Sequence, residues 1–436
     1  MTPDALQIDG NPLDEKQRLA LVACTNRARR VVGVTGPAGT GKTSIIRAVT
    51  YVLTEAGFTV SLAAPTGKAA KRIKEATGIP AQTFHRLLEY TSPGEPDPKT
   101  GKPVWVSYPQ RNRGRHLQCD VVIGDEYAMV NKELHGDIVG AIKPGGRLLT
   151  FGDNNQLQPI EKNPVDAKTP SKFTEILQKF DGIVLDTLHR TGAGSSIADN
   201  ARRVLRGMAP VRATDFSIDY TSQPVDALLK FIRGREDMFK HVDNQIITPT
   251  NISWCGQYKL NVAIQSQLQP HARGWYELAR HEWDAKRPVR VRVGDKVVVN
   301  KNLYSINCND GTMGVFNGET GIIQAIDTGG LIEVDLGDRV CILPPQMVIE
   351  IGGQVRTIYP HREIGLAYAL TTHKCQGSEY GEVVYVMNKS QSMMLCKPNL
   401  YTGITRARQQ VHVISDLASM TRSCTTGAPP VDAMRW

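Results

Sequence analysis

No run of about 18 consecutive apolar residues occurs in the chain, which excludes a membrane-spanning helix. The opening residues, MTPDALQIDGNPLDEKQ, hold no basic region followed by an apolar core, so no secretory signal is expected and the chain reads as cytoplasmic. The cysteines (Cys24, Cys119, Cys255, Cys308, Cys341, Cys375, Cys396 and Cys424) show no C-x-x-C spacing, and none is close to a histidine pair. A zinc site or a disulfide framework is therefore not expected, and buried reduced thiols are the default. No internal repeat and no low-complexity tract is present, which removes solenoids from consideration.

What remains is ordinary for a globular protein: 41% hydrophobic and 22% charged residues in a chain of 436. That length allows two to four domains with a substantial core. The net charge is +9. A basic balance suits a polyanionic partner, and it also fits a basic protein that has none; charge does not separate the two.

Residues 31–50, VVGVTGPAGTGKTSIIRAVT, are more specific. An apolar run leads into Gly36, Pro37, Ala38, Gly39, Thr40, Gly41, Lys42 and Thr43, followed by Ser44 and a helical pattern. This is G-x-x-x-x-G-K-[ST] between a strand and a helix. Glycines let the backbone curl so that N–H groups face phosphate oxygens, and the helix aims its positive end at the same place. Lys42 reaches the β- and γ-phosphates, and the Thr43 hydroxyl sits on Mg²⁺. The loop predicts a nucleoside triphosphate site.

Downstream, CDVVIGDEYAMV ends an apolar strand in Asp125 and Glu126. The first acid suits Mg²⁺ and the second suits a general base for the attacking water. LLTFGDNNQLQPI brings Asp153 and Gln156 to another strand end, where an amide can bond a γ-phosphate; an Asx-type turn is the bland alternative. Arg190 in LDTLHRT and Arg406 in LYTGITRARQQVHVI are candidate arginine fingers. A finger from a second domain completes a site only on closure, so hydrolysis would open and close a cleft. Pro65, Thr66 and Lys68 lie at a strand-to-helix turn. With Thr83 and His85, and with Thr371, His373, Lys374, Gln376, Gly377 and Ser378 of TTHKCQGSEY, they supply donors for a sugar–phosphate backbone without reading sequence.

Along the chain, 14–30 reads as an amphipathic helix with Leu13, Gln17, Ala20, Leu21 and Cys24 on one face. Strands are expected at 31–35, 59–64, 119–124, 147–151 and 183–186, alternating with helices: an α/β fold with a parallel sheet. Residues 89–116 interrupt this rhythm with prolines, glycines, VWVSY and an arginine cluster, as a protruding β-hairpin or a disordered basic loop. A second α/β segment begins near 183. From 262 to 362, short alternating strands with N-G, G-G and G-D turns predict a small β-barrel. The tail from 417 lacks periodicity and is expected to be partly disordered.

These motifs, in this order over residues 13–415, resemble a superfamily 1 DNA helicase of subgroup B, the RecD-like or Dda type. The resemblance implies two tandem RecA-like P-loop domains. It puts a pin hairpin at 89–116 in the first and an SH3-like β-barrel, from VGDKVVVNKN and FNGETG, in the second. The boundaries are then 1–182, 183–261 with 363–416, 262–362 for the barrel, and 417–436 for the tail. It implies that Gln17 reads adenine, that 36–43 is motif I and that Asp125 and Glu126 are motif II. Gly152, Asp153 and Gln156 become motif III, Arg190 the motif IV arginine, and Arg406 the motif VI finger. The implied activity is ATP- and Mg²⁺-dependent translocation 5′ to 3′ on single-stranded DNA with separation of tailed duplexes. A monomer in a bacterial or phage-infected cytoplasm is implied, working with replication or recombination proteins. Two features depart from the family pattern. Tyr127 stands where a small residue is usual, a change that bears on coupling to DNA, and the pin region is rich in proline with no match for its tip residue, Trp105 being the candidate aromatic there. A nucleotide-driven clamp on nucleic acid and a small-molecule kinase are the competing classes; the second half and the barrel have no purpose in the latter.

Overall fold

The computed structural model describes residues 7–8, 11–91, 94–96, 103–105, 108–161, 163–187, 195–269, 275–278, 289–351 and 354–429. The chain divides into two compact units, Met1–Gly194 and Ser195–Trp436.

In the first unit a six-stranded parallel sheet runs in the order Ile183–Val184, Val31–Thr35, Arg147–Gly152, Val121–Gly124, Val60–Ala64, Ala81–Thr83. Val121–Gly124 and Arg147–Gly152 are buried along their whole lengths, as strands covered on both faces must be. The helix Glu15–Thr25 begins at a capping box: the Asp14 carboxylate accepts from Gln17 N, and the Gln17 side chain accepts from Asp14 N. Its Ala20, Leu21 and Cys24 pack into one core with Val32, Val34, Ile45 and Val49. The helix stops at Thr25, short of the expected residue 30.

Two strands differ from expectation. Ile183–Val184 pairs with Val34 and Thr35 in the first sheet rather than opening the second α/β segment. The chain turns tightly there: a Cβ on Gly182 would come within 2.5 Å of Leu177. The edge strand Ala81–Thr83 has no counterpart in the sequence reading, since three half-polar residues carry no usable period.

Residues 89–116 hold antiparallel pairs. Tyr90–Thr91 pairs with Tyr108–Pro109, and Gly94–Pro96 pairs with Pro103–Trp105. At the base, Glu89 is bridged by Arg111 (2.7 Å) and Arg115 (3.0 Å). Trp105 is in register with Gly94, while Pro103 faces Pro96, so the backbone puts Trp105 on a limb and not at the turn. Residues 97–102 lie outside the described residues.

The second unit carries a five-stranded parallel sheet in the order Phe216–Tyr220, Ala407–Ser415, Tyr380–Met387, Asn244–Thr248, Ala369–Thr371. Between its last two members in that order the chain makes an antiparallel sheet, Val340–Leu343, Ile332–Asp335, Thr320–Ile326, Lys296–Val299, Ile364–Leu366. That insertion starts later than residue 262, because 262 lies inside the helix Gln257–Leu268, whose Leu260, Ile264 and Leu268 are buried. The tail is more ordered than expected. Asp416 caps a helix, Leu417–Thr425, that buries Met420 and Cys424; nine residues are too few for the periodicity to stand out. Among the described residues no helix is long and apolar enough to cross a membrane.

A buried polar knot ties the antiparallel sheet to its host. Asp295, fully buried, accepts from the Tyr368 hydroxyl (2.8 Å), Gln265 Nε2 (2.6 Å), Gln269 Nε2 (3.1 Å) and Arg292 N (2.9 Å). Burial pushes its carboxyl up, and the hydrogen bonds pull it back. Beside it, Lys296 Nζ donates to the carbonyls of His241 (3.0 Å) and Asn244 (2.6 Å). Asp295→Ala removes the acceptor shared by two amides, a buried phenol and a backbone N–H, so it should cost about 3 kcal/mol. Urea unfolding that shows a loss under about 1 kcal/mol would refute the knot's role.

Candidate functional site

The strand Val31–Thr35 delivers the glycine loop to the carboxyl edge of the first sheet, where parallel α/β sheets bind ligands. Gly36 is obligatory by crowding: a Cβ would meet Leu185 O at 2.6 Å and Thr40 Oγ1 at 2.8 Å. Gly39 and Gly41 hold φ of +84° and +82°, which favours glycine. Pro37 and Ala38 complete the curl. No side chain caps the helix Lys42–Glu55, so the first-turn N–H groups, which include those of Thr43 and Ser44, are left for an anion. Lys42 Nζ donates to the carbonyls of Gly36 (2.7 Å) and Pro37 (2.8 Å). A phosphate is a stronger acceptor than either carbonyl, so the loop fits a nucleotide.

Two strands away, Val121–Gly124 ends in Asp125 and Glu126. Burial pushes the Asp125 carboxyl up, the adjacent Glu126 charge adds to this, and Lys42 and Arg72 pull it down. Glu126 sits at φ +50°, a left-handed conformation that a non-glycine residue adopts at a cost. Its Oε2 is buried and has no hydrogen-bond partner among the described residues. The strand between them, Arg147–Gly152, ends in Asp153 and Gln156, which are 1% and 3% exposed. Gln156 Oε1 is likewise buried without a partner. An uncompensated carboxylate oxygen and amide oxygen at the same sheet edge as a lysine suit a hydrated metal–phosphate group. Gln17 Nε2 donates to Thr40 O (3.3 Å), and its oxygen is used by Asp14, so the amide as it stands braces the loop. Arg72 was not legible as a neighbour of Asp125, because only the packing of the helix Gly67–Thr77 brings it near.

Tyr127 is a core residue. Its ring is fully buried, meets Phe84 edge-on at 5.7 Å, and its hydroxyl bonds His135 Nδ1 at 2.9 Å. Gly124 makes room for it: a Cβ there would meet Phe84 at 2.7 Å and Tyr127 at 2.8 Å. Packing therefore accounts for the tyrosine, where the sequence suggested a link to DNA.

The expected backbone-contact residues divide. Thr66 and Thr83 are N-caps, accepting from Ala69 N and Arg86 N at 3.2 Å each. Pro65, Thr66 and Lys68 are partly exposed, and His85 is exposed against the Tyr90 ring at 4.8 Å. Thr83, Thr371, Gln376 and Ser378 are buried. The Thr371 hydroxyl accepts from Lys374 N (3.3 Å), and Gly377 turns the loop at φ +72°. Lys374 Nζ donates to Asn300 Oδ1 (2.9 Å), a partner 74 positions away that no local pattern announces. Arg406, 2% exposed, donates to Thr402 O (3.0 Å) and Ser378 O (3.2 Å). Arg190 lies outside the described residues.

Burial lowers the imidazoles of His135 and His373 to about 4, so both are neutral at pH 7 and His373 brings no positive charge. The unfolded chain takes up these protons near 6.5, the folded chain near 4. The stability from these two sites is thus complete above pH 6.5 and falls as pH drops from 6.5 towards 4. Histidine NMR titration should place both midpoints below pH 5, and a midpoint near 6.5 for either would contradict its burial.

Comparison with known proteins follows the same outline. A family model described as an AAA domain matches residues 12–220, and one described as a UvrD-like helicase C-terminal domain matches residues 366–414. The ATP-dependent RecD2 DNA helicase of Deinococcus radiodurans is 31% identical over 390 residues, covering 87% of this chain and 46% of that protein. The RecBCD enzyme subunit RecD of Mycobacterium tuberculosis is 27% identical over 491 residues, covering 99% and 74%. The chain thus spans about half the length of the first relative and about three quarters of the second. A crystal structure of Pif1 helicase from Bacteroides in complex with ADP-AlF3 and ssDNA has a TM-score of 0.55 at 20% identity, covering 93% of this chain and 92% of that one. The Pif1 helicase from Candida albicans has a TM-score of 0.54 at 18% identity, covering 96% and 97%. The likeness to these two structures is one of fold.

Proposed function

We propose that the chain is a RecD-like superfamily 1 helicase, an ATP-dependent DNA helicase moving 5′ to 3′ on single-stranded DNA and separating duplex strands. The observation that carries this reading is the convergence of Lys42, Asp125, Glu126 and Gln156 at the ends of alternate and intervening strands of one sheet. A binding module that only needed to hold a nucleotide would not require a buried, unpartnered acid beside the acid that faces the cradle lysine.

In this reading the loop of Gly36 to Thr43 wraps the triphosphate and Lys42 leaves its carbonyls for the β- and γ-oxygens. Thr43 and Asp125 would hold Mg²⁺, which neutralises charge on the transferring γ-phosphoryl group. Glu126 Oε2 takes the proton of the attacking water, and Gln156 orients that water against the phosphorus. Arg406, and Arg190 by the family pattern, meet the charge that develops in the transition state. The paired limbs of residues 90–109 serve as the strand-separating pin, supported by the ion pairs that stiffen their base. The antiparallel sheet from Lys296 to Leu366 serves as the SH3-like barrel, supported by its place between two strands of the second parallel sheet. Single-stranded and tailed duplex DNA are the proposed partners.

Lys42→Ala should abolish hydrolysis, because the γ-phosphate loses its cation; near-normal turnover would remove the loop from the mechanism. Arg406→Ala should keep ATP binding and lose most turnover, as a group acting in the transition state does. Parallel loss of binding and turnover would make Arg406 structural. Single-turnover unwinding of duplexes with either a 5′ or a 3′ tail tests the whole reading. Separation from the 5′ tail alone is expected. Separation from the 3′ tail alone would reverse the direction, and hydrolysis without separation would leave a translocase or clamp.

A further inference from the structure

Trp254 is 66% exposed, an uncommon state for a tryptophan and one that leaves a large apolar ring in water. We propose that its indole is a stacking platform for one base of a single-stranded polynucleotide, an inference that rests on the nucleic-acid reading above and adds a base contact to it. The loop that carries Trp254 lies outside both stretches matched by the family models.

Position is the first argument. The loop leaves the second sheet at Thr248, which is in register with Thr371 on the neighbouring parallel strand. Two loops therefore emerge side by side from the carboxyl edge, one bearing Trp254 and the other Lys374. Trp254, Lys259, Asn300, Asn317, Arg362 and Lys374 line a single cavity of about 1100 Å³ within the second unit. Its cations, Lys259, Arg362 and Lys374, outnumber its acids, Asp226 and Glu363, and the rest of its polar lining is largely amide. An aromatic ring for a base, cations for phosphates and amides for either make up a sequence-tolerant strand site.

The second argument is rigidity. Gln391, 2% exposed, donates from Nε2 to Thr248 Oγ1 (2.7 Å), Thr250 Oγ1 (3.1 Å) and Cys255 O (3.2 Å). Thr248 Oγ1 donates to Cys255 O (2.7 Å) and Thr250 Oγ1 to Ser253 Oγ (3.0 Å). Gly256 closes the turn where a Cβ would stand 2.7 Å from Asn251 O. A buried glutamine thus staples a tight loop whose most exposed residue is a tryptophan. Holding an exposed ring still has a use when a flat partner must land on it, because the ordering cost is met before binding.

The third argument is the ring's electronic setting. Lys259 Nζ lies 4.1 Å from the indole centroid. Its ammonium stands over one face of the ring, so a base would stack on the opposite face. A base stacked on that face would carry its phosphates past the cavity's cations.

The test uses the full chain and a labelled oligothymidylate of about 16 nucleotides, in direct binding without nucleotide. Trp254→Ala should weaken binding roughly tenfold, and Trp254→Phe should stay within about threefold of the parent, as one stacked base requires. The slope of affinity against salt should not change, because no phosphate contact is lost. An abasic strand of equal length should bind the parent and Trp254→Ala alike. Equal binding of oligothymidylate by the parent and Trp254→Ala would overturn the platform and leave the helicase reading intact. A loss in Trp254→Ala that persists on the abasic strand would overturn stacking in favour of a backbone or structural role. Failure of the parent itself to bind either strand would overturn the nucleic-acid reading, and the platform with it.

Discussion

Two consecutive carboxylates at the buried end of one strand are the constraint to which the first unit is built. Burial and mutual repulsion both favour the protonated form of Asp125, so a cation must stand near it. Lys42 meets that need from a loop two strands away in the sheet. The lysine can do so only if the loop doubles back over the sheet edge, which the crowded Gly36 and the left-handed Gly39 and Gly41 allow. The strand between them must end in small or polar groups, and it ends in Gly152, Asp153 and Gln156. Charge balance, loop conformation and strand order are thus one requirement seen at three scales.

The same edge shows how packing positions chemistry. Glu126 is held at a positive φ between Asp125 and the buried Tyr127. The tyrosine ring, locked between Phe84, Phe173 and His135, anchors the chain directly after the acid. Gly124 keeps clear the space that the ring occupies. Strain at one residue persists because its neighbours are over-determined.

In the second unit polar groups do structural work that their residue types would not suggest. Thr371, Ser378 and Gln376 are buried, and Asn261 clamps Ala369 through both its amide ends. Asp295 and Lys296, adjacent in sequence, join the antiparallel sheet to the helix and strands around it through side chains and main-chain carbonyls. Buried polar networks of this kind trade stability for a single arrangement. Here that arrangement sets where Asn300 meets Lys374 and where the cavity beneath Trp254 lies.

Local order determined a good deal by itself. The glycine loop, the paired acids and the alternation of strand and helix are all written within a few residues, because turns and burial patterns are short-range physics. Tertiary structure decided the rest. It gave Ile183–Val184 to the first sheet and put Trp105 on a hairpin limb. It buried Tyr127, Thr83 and Thr371 and packed Met420 and Cys424 of the tail helix into the core of the second unit. It also brought Arg72 to Asp125, Asn300 to Lys374 and Gln391 to the loop of Trp254. Each of these depends on residues distant in sequence meeting in space, and neither composition nor period encodes which distant partner a side chain will find.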